Sequence, residues 1–162
     1  MIIIGYQGIG KSTLASASWM YIDLESSLWR VDGVRSDTWY KEYCNVAEGL
    51  SKQGYIVFVS SHKEVRDRLK DSKQRVCVCY PAVELRDEWI DKLETRFFET
   101  RLDKDYRALG NAKDRYQENI LELKNSGFNP IEITTMDYNL RSLIERHNFQ
   151  QICALHLGLE KD

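Results

Sequence analysis

The chain opens with an apolar segment that runs directly into a glycine-rich loop, and this junction constrains the fold more than any other feature. Met1-Ile2-Ile3-Ile4 predicts a buried strand, and residues 5–13 follow it as Gly-Tyr-Gln-Gly-Ile-Gly-Lys-Ser-Thr. The spacing G-x-x-x-x-G-K-S directly after a strand is the pattern of a phosphate-binding loop. Its glycines let the backbone curve around an anion with the amide N–H groups pointing inward.

The side chains and amides of this loop have distinct expected roles. The helix that begins near Lys11 adds the positive end of its dipole to the loop amides. Lys11 is expected to reach the outer phosphates of a nucleotide, and the Ser12 hydroxyl to be a ligand of Mg²⁺. The sequence therefore predicts a nucleoside triphosphate site. The residues expected to bind the nucleotide are Gly8, Ile9, Gly10, Lys11, Ser12 and Thr13.

Composition narrows the class of protein. The chain has 162 residues, of which 43% are hydrophobic and 30% charged. This composition predicts that residues 1–162 form one compact domain. A net charge of −2 argues against a broad nucleic-acid surface, although a local basic groove stays compatible with it. No run is long and apolar enough to span a membrane, and the N-terminal strand leaves no room for a targeting peptide. We expect a cytoplasmic protein.

The four cysteines do not form a metal-binding pattern. Cys77 and Cys79 are separated by one residue inside a predicted strand, so both thiols lie on the same side of it. This spacing fits no zinc site. The better interpretation of the cysteines is as small buried hydrophobic residues, which suits a reducing compartment.

Segments of strand and helix character alternate along the chain, which predicts an α/β domain with a parallel sheet. The predicted strands are residues 1–4, 19–24, 55–60, 76–80 and 131–134, and helices are expected between them and after the last one. One helix, beginning near Asp37, is expected to bury Tyr43, Val46, Ala47 and Leu50. Because ligands bind at the carboxyl ends of parallel strands, polar residues there are the candidates for chemistry.

Two acids follow the second predicted strand. Asp23 is expected to help hold Mg²⁺ and to orient or deprotonate an acceptor hydroxyl, and Glu25 is expected to meet the acceptor. The alternative is that both are capping or solvated acids. The third predicted strand ends in Ser60-Ser61-His62 without an acid, so more of the metal chemistry falls on Asp23.

Basic residues and a histidine complete the candidate site. His62 is expected to contact substrate or nucleotide, with a surface role as the alternative. Arg66 is a candidate for binding an anionic substrate, although its helix also fits a solvated charged face. Arg96 and Arg101 are candidates for stabilising charge on a transferred phosphoryl group from a mobile cover, or for a charged surface helix.

With these pieces placed, the chain resembles the small P-loop kinases of the adenylate kinase-like group, which includes nucleoside monophosphate, shikimate and gluconate kinases. The turn Asp23-Leu24-Glu25 resembles the acidic D-x-D turn of shikimate kinases. Residues 59–69 are similar to the segment after the third strand of gluconate kinases. Residues 85–96 resemble the helix that leads into an arginine-bearing lid. The resemblance extends from Met1 to about Glu145 and is shared with small ATP-binding proteins of bacteria and their phages.

This resemblance implies a P-loop NTPase three-layer α/β/α fold, a five-stranded parallel sheet in the order 2-3-1-4-5, and a helical lid near residues 96–115. It implies ATP and Mg²⁺ as cofactors and transfer of the γ-phosphate to a small acceptor, with a nucleoside monophosphate as the first expectation. A polynucleotide 5′-hydroxyl, a sugar acid, and a regulatory module without efficient turnover are the alternatives. We expect a monomer or weak homodimer, with neither membrane nor nucleic acid as a partner.

Overall fold

The computed structural model describes residues 1–157, in which strands and helices alternate along the chain. The strands are β1 Ile2–Gly5, β2 Tyr21–Asp23, β3 Ile56–Val59, β4 Val76–Pro81 and β5 Asn129–Ile133. The six α-helices of this part of the chain are α1 Lys11–Ala17, α2 Trp39–Lys52, α3 Lys63–Leu69, α4 Arg86–Thr100, α5 Asp103–Lys124 and α6 Leu140–Leu157.

The five strands form a single all-parallel sheet in the order β2-β3-β1-β4-β5. The prediction of a five-stranded parallel sheet in the order 2-3-1-4-5 is therefore confirmed. The N-terminal strand β1 lies at the centre of this sheet, with Ile3 level with Phe58 of β3 and with Cys77 of β4. The glycine-rich segment consequently leaves the sheet at the middle of its carboxyl edge.

The continuous apolar runs of the strands are explained by burial of the sheet on both faces. Ile2, Ile3 and Ile4 are each 0% exposed although successive side chains of a strand point to opposite faces. Both faces of the central strand are therefore covered, as expected for a parallel sheet with crossover helices. Cys77 and Cys79 are buried in the same way, which confirms that they act as core residues.

Helix α2 buries a face that is shifted slightly from the one expected. Its buried residues include Trp39, Tyr43 and Cys44 on the side that faces the sheet, whereas Val46 is 37% exposed. The prediction that Val46 belongs to the core stripe was wrong because Trp39 and Cys44 define the apolar face, and Val46 lies beside it. Tyr43 and Ala47 are fully buried, as predicted.

Residues 96–115, where the sequence predicts a lid, contain the end of α4, a short turn and the first half of α5. Arg101 adopts a left-handed conformation with φ of 55°, and its N–H bonds to the Phe97 oxygen at 2.8 Å. Helix α5 then begins at Asp103 and packs along α4, with Leu109 and Ala112 buried. The segment is thus a helical hairpin whose far part belongs to the core.

Helix α6 continues well beyond the point where the sequence pattern weakens. It runs to Leu157, yet its buried residues are Leu140 and Ile144 in its first two turns. The last five residues of the predicted tail, 158–162, lie outside the described residues. Within residues 1–157, none of the helices combines the length and apolar character needed to cross a membrane.

Candidate functional site

A cleft of about 990 Å³ lies at the carboxyl edge of the sheet. The glycine loop, defined as residues 5–12, forms its floor at the middle. The ends of β2 and β3 close one side, the loop between β5 and α6 closes the other, and α4 and α5 flank it. The predicted site residues that line the cleft are Gly8, Ile9, Gly10, Lys11, Ser12, Thr13, Asp23, Glu25, His62 and Arg96.

Glycines allow the tight path of the glycine loop. Gly8 and Gly10 have φ of 83° and 99°, which is a left-handed conformation that other residues adopt only with strain. A Cβ atom on Gly8 would also lie 2.9 Å from Leu93 Cδ2. Gly5 is needed for a different reason, because the Lys11 side chain crosses it and a Cβ there would lie 2.8 Å from Lys11 Cδ.

Three hydrogen bonds join the glycine loop to distant segments of the chain. Trp89 Nε1 donates to the Gln7 main-chain oxygen at 3.0 Å, and Gln7 Nε2 donates to the Ala108 oxygen at 2.8 Å. On the opposite side, the Tyr138 hydroxyl donates to the Ile9 oxygen at 2.8 Å. Two of these bonds use main-chain carbonyls of the loop and the third uses the Gln7 side chain, so that the shape of the loop is fixed by α4, α5 and the loop after β5.

Lys11 lies where the glycine loop meets the end of β1. Its Nζ donates to the main-chain oxygens of Gly5 at 3.4 Å and Tyr6 at 3.1 Å. Burial lowers the pKa of Lys11, while the nearby carboxylate of Asp23 opposes this by favouring the charged form. A desolvated ammonium with two weak carbonyl partners is well suited to bind an anion.

Asp23 is the last residue of β2, and its carboxylate lies close to Lys11 and Ser12. Burial raises the pKa of Asp23, whereas the Lys11 charge and a hydrogen bond from Ser12 act in the opposite direction. The two residues predicted as metal ligands are therefore neighbours in space. In residues 1–157, no group of three or more His, Cys, Asp and Glu side chains could hold a metal ion unaided. A cation here would need further oxygen ligands from a bound substrate.

The side of the cleft formed by β2 and β3 is rich in acids and hydroxyls, and we refer to residues 23–26 and 60–62 as the acidic end. Glu25 Oε1 lies 3.4 Å from Lys104 Nζ of α5. His62 Nδ1 lies 2.8 Å from Ser60 Oγ, and His62 Nε2 lies 3.2 Å from the Arg35 guanidinium. His62 thus reaches the cleft, as predicted, as part of a hydrogen-bonded chain.

Helix α4 presents two cations to the cleft. Lys92 and Arg96 are one helical turn apart and both line it. Lys92 Nζ lies 4.5 Å from the Trp89 ring centroid and 4.8 Å from that of Tyr138, and it donates to the Tyr138 hydroxyl at 2.8 Å. Burial and the charge of Arg96 lower the pKa of Lys92. Arg96 is paired with Asp105 at the start of α5.

Two predicted site residues lie elsewhere. Arg66 is buried outside the cleft, where its guanidinium bonds to Glu122 of α5 at 2.6 Å. Helix α3 turns this side chain toward α5, so the expectation that Arg66 meets an acceptor does not fit the geometry. Arg101 packs its guanidinium 4.9 Å from the Phe98 ring centroid and does not line the cleft, because the left-handed turn after α4 directs it outward.

Several residues of the cleft were not predicted from the sequence. For Lys92, the available signal was its spacing, four positions before Arg96. Gln7 lies within the glycine loop itself, and the others follow the fifth strand or begin α5. The rule that ligands bind at carboxyl ends would have found those after the strand. The missed residues with polar side chains include Gln7, Lys92, Lys104, Tyr138, Asn139 and Arg141.

Comparison of the chain with models of known protein families and with curated proteins gives no match. Function is therefore inferred from the chemistry of the cleft.

Proposed function

We propose that this chain is a phosphotransferase with a P-loop kinase fold, which moves the γ-phosphoryl group of MgATP to a small acceptor. The observation that carries the proposal is that Lys11 and Ser12 of the glycine loop meet Asp23 of β2 in one cleft. Phosphoryl transfer depends chiefly on positioning and on neutralising charge, and these are the groups that it requires.

The cleft has room for a nucleotide donor, and the residues that line it define the direction in which the donor lies. The triphosphate of the donor lies along the amides of the glycine loop, with its outer phosphates at Lys11. The nucleoside then lies toward the loop after β5, where Met136 and Leu140 supply apolar surface and Asn139 supplies a polar side chain. Such a mixture of apolar contact and a few polar groups is typical of small-molecule sites.

The residues present fit a magnesium ion bound together with the donor. Mg²⁺ is held in such sites by one or two protein oxygens together with phosphate oxygens and waters. The Ser12 hydroxyl and the Asp23 carboxylate supply the protein oxygens here. When bound, the ion neutralises charge on the triphosphate, and the protein's own residues perform the remaining tasks.

Transfer requires an acceptor oxygen, a proton acceptor and cations around the moving group. The acceptor hydroxyl oxygen forms a bond to the γ-phosphorus while the bond to the β–γ bridging oxygen breaks, leaving ADP. The hydroxyl proton passes to Asp23, with Glu25 as the second carboxylate within the acidic end. Arg96 and Lys92 stabilise the charge of the phosphoryl group.

A regulatory module that binds ATP without efficient turnover is the second candidate. It is favoured by one observation, namely that β3 ends in Ser60-Ser61-His62 and supplies no carboxylate to the cleft. The two candidate functions, kinase and regulatory module, share the ATP site. They differ in whether Asp23 has a chemical role.

The test is acceptor-dependent formation of ADP and a phosphorylated product, followed by mass spectrometry, in the Asp23→Asn variant and the wild-type protein. The exposed Asp32, on a turn away from the cleft, gives the matched control Asp32→Asn. We expect Asp23→Asn to lower the transfer rate by about 100-fold or more and the control to leave it unchanged. ATP binding without any transfer by the wild-type protein would favour the regulatory module.

A further inference from the structure

We propose that the acceptor is an uncharged molecule that presents several hydroxyl groups, such as a nucleoside or a neutral sugar, and that the acidic end selects it against phosphomonoesters and other anions. This inference rests on the proposed function and specifies its substrate class. It departs from the nucleoside monophosphate expected from the sequence.

The charge of the acidic end disfavours an anionic acceptor. Asp23 and Glu25 both line it, and a phosphomonoester would bring a further charge of about −1.5 to −2 beside them. Apart from Lys11, which belongs to the glycine loop, the cation that pairs with these acids among residues 1–157 is Lys104, 3.4 Å from Glu25. Repulsion between like charges in a partly desolvated cleft is large enough to decide between acceptors.

The guanidinium that contacts the acidic end already bonds through each of its three nitrogens. Arg35 donates through Nε to the Ser26 oxygen at 3.2 Å and through Nη2 to Ser26 Oγ at 2.7 Å. Its Nη1 lies 3.2 Å from His62 Nε2, and its guanidinium carbon lies 4.4 Å from the Trp39 ring centroid. These contacts hold Arg35 against Ser26 and His62, so it acts as a positioning residue for the acidic end.

The same contacts determine which groups of the acidic end donate hydrogen bonds and which accept them. A guanidinium can only donate, so His62 Nε2 accepts from Arg35 and His62 Nδ1–H donates to Ser60 Oγ at 2.8 Å. The Ser60 O–H is then free to donate into the cleft. An Nε2 that accepts from Arg35 carries no proton, so His62 adds no cation in this arrangement. Partial desolvation and the charge of Arg35 lower the pKa of His62, which acts in the same direction.

The position of Ser60 is fixed by the Tyr43 side chain, which bridges the residues that follow β2 and β3. The Ser60 N–H donates to the Tyr43 hydroxyl at 2.8 Å, and this hydroxyl donates to the Leu24 oxygen at 2.8 Å. The ends of β2 and β3 are thereby held together by one buried side chain. The acidic end therefore presents carboxylate acceptors on β2 and a hydroxyl donor on β3 in a preorganised arrangement, which suits the donor and acceptor character of alcohol groups.

The test compares matched acceptors that differ in charge. Nucleosides are compared with their 5′-monophosphates, and glucose is compared with gluconate, with kcat/KM measured for MgATP-dependent phosphorylation. We expect the uncharged member of a pair to be used at least about tenfold better. An anionic member used equally well or better would overturn the inference, and so would turnover of neither member by a protein that binds MgATP.

Two variants, Glu25→Gln and Arg35→Gln, test the cause of the preference for uncharged acceptors. Glu25→Gln removes one negative charge and is expected to narrow the preference for the uncharged member severalfold, whereas Glu42→Gln, on the exposed face of α2, leaves it unchanged. Arg35→Gln is expected to raise KM for the uncharged acceptor more than it lowers kcat. It is also expected to alter the pH profile of kcat/KM between about pH 5 and 7, because the charge of Arg35 lowers the pKa of His62. An unaltered preference in Glu25→Gln would contradict the charge argument. Failure of the proposed function itself would be distinguished by a lack of MgATP binding in calorimetry.

Discussion

The indole nitrogen of Trp89 donates a hydrogen bond of 3.0 Å to the main-chain oxygen of Gln7, which joins α4 to the glycine loop. The Trp89 ring is 0% exposed and stacks on Tyr138 with centroids 6.0 Å apart, and the Tyr138 hydroxyl holds the other side of the loop at Ile9. The loop is thus held from outside by two stacked aromatic rings. Its conformation is consequently tied to the packing of α4.

Replacement of Trp89 by phenylalanine tests this support. Trp89→Phe keeps an aromatic ring in the core but removes the bond to the Gln7 oxygen and leaves a small void. We expect the free energy of unfolding to fall by about 1–3 kcal/mol, and the affinity for MgATP to fall with it. Denaturant unfolding and calorimetry measure the two effects. Trp19→Phe is the control, because Trp19 is 80% exposed, and an equal loss in both variants would contradict the account.

Two glycines with opposite expected responses test the conformation of the loop. Gly8→Ala places a Cβ at φ of 83° and 2.9 Å from Leu93, so we expect a loss of about 1–3 kcal/mol in the free energy of unfolding. Gly49 lies inside α2 with nothing within 4 Å of its Cβ position, so Gly49→Ala is expected to stabilise the protein by about 0.5–1 kcal/mol. Urea denaturation of both variants checks the prediction, which fails if Gly8→Ala is tolerated as well as Gly49→Ala.

Arg66 should matter for stability and not for substrate. Its side chain is 11% exposed and bonds at 2.6 Å to Glu122, which is 44% exposed, so Arg66→Ala breaks a partly buried contact between α3 and α5. We expect a loss of about 1.5–3 kcal/mol in the free energy of unfolding, with KM for ATP and acceptor unchanged. Lys63→Ala, which removes an exposed ion pair with Asp67, is expected to leave the free energy of unfolding nearly unchanged. A raised acceptor KM in Arg66→Ala would place Arg66 at the acceptor after all.

The start of α5 makes stability depend on pH. Burial raises the pKa of Asp105, but hydrogen bonds from Thr100 and Arg96 outweigh it and hold the pKa below its usual value. A carboxylate with a lowered folded-state pKa stabilises the protein above its unfolded pKa near 4, and this contribution is lost as the pH falls through the folded value. We therefore expect unfolding free energy to decline below about pH 4, with a smaller decline in Asp105→Asn. Equal slopes in both proteins would contradict this role.

The sheet was predictable because its signals are local. An apolar run of four to six residues bounded by polar turns marks each of the central strands, and the order of the strands was supplied by the resemblance to P-loop kinases. The glycine loop was predictable because its spacing is specific. The long-range partners of site residues could not be predicted in this way. Nothing in the sequence near Arg66 indicates that Glu122 will neutralise it, and nothing near Trp89 indicates that its indole will support Gln7.

The measurement that tests the central claim most directly is calorimetric titration of the wild-type protein and of Lys11→Met with ATP in the presence of Mg²⁺. Lys41→Met, an exposed lysine on α2, is the control. We predict that the wild-type protein and the control bind with the same affinity and that Lys11→Met binds at least about tenfold more weakly, because a charged hydrogen bond to phosphate is lost. Equal affinity in all three proteins, or no binding by the wild-type protein, would contradict the assignment of the glycine loop as a nucleotide site.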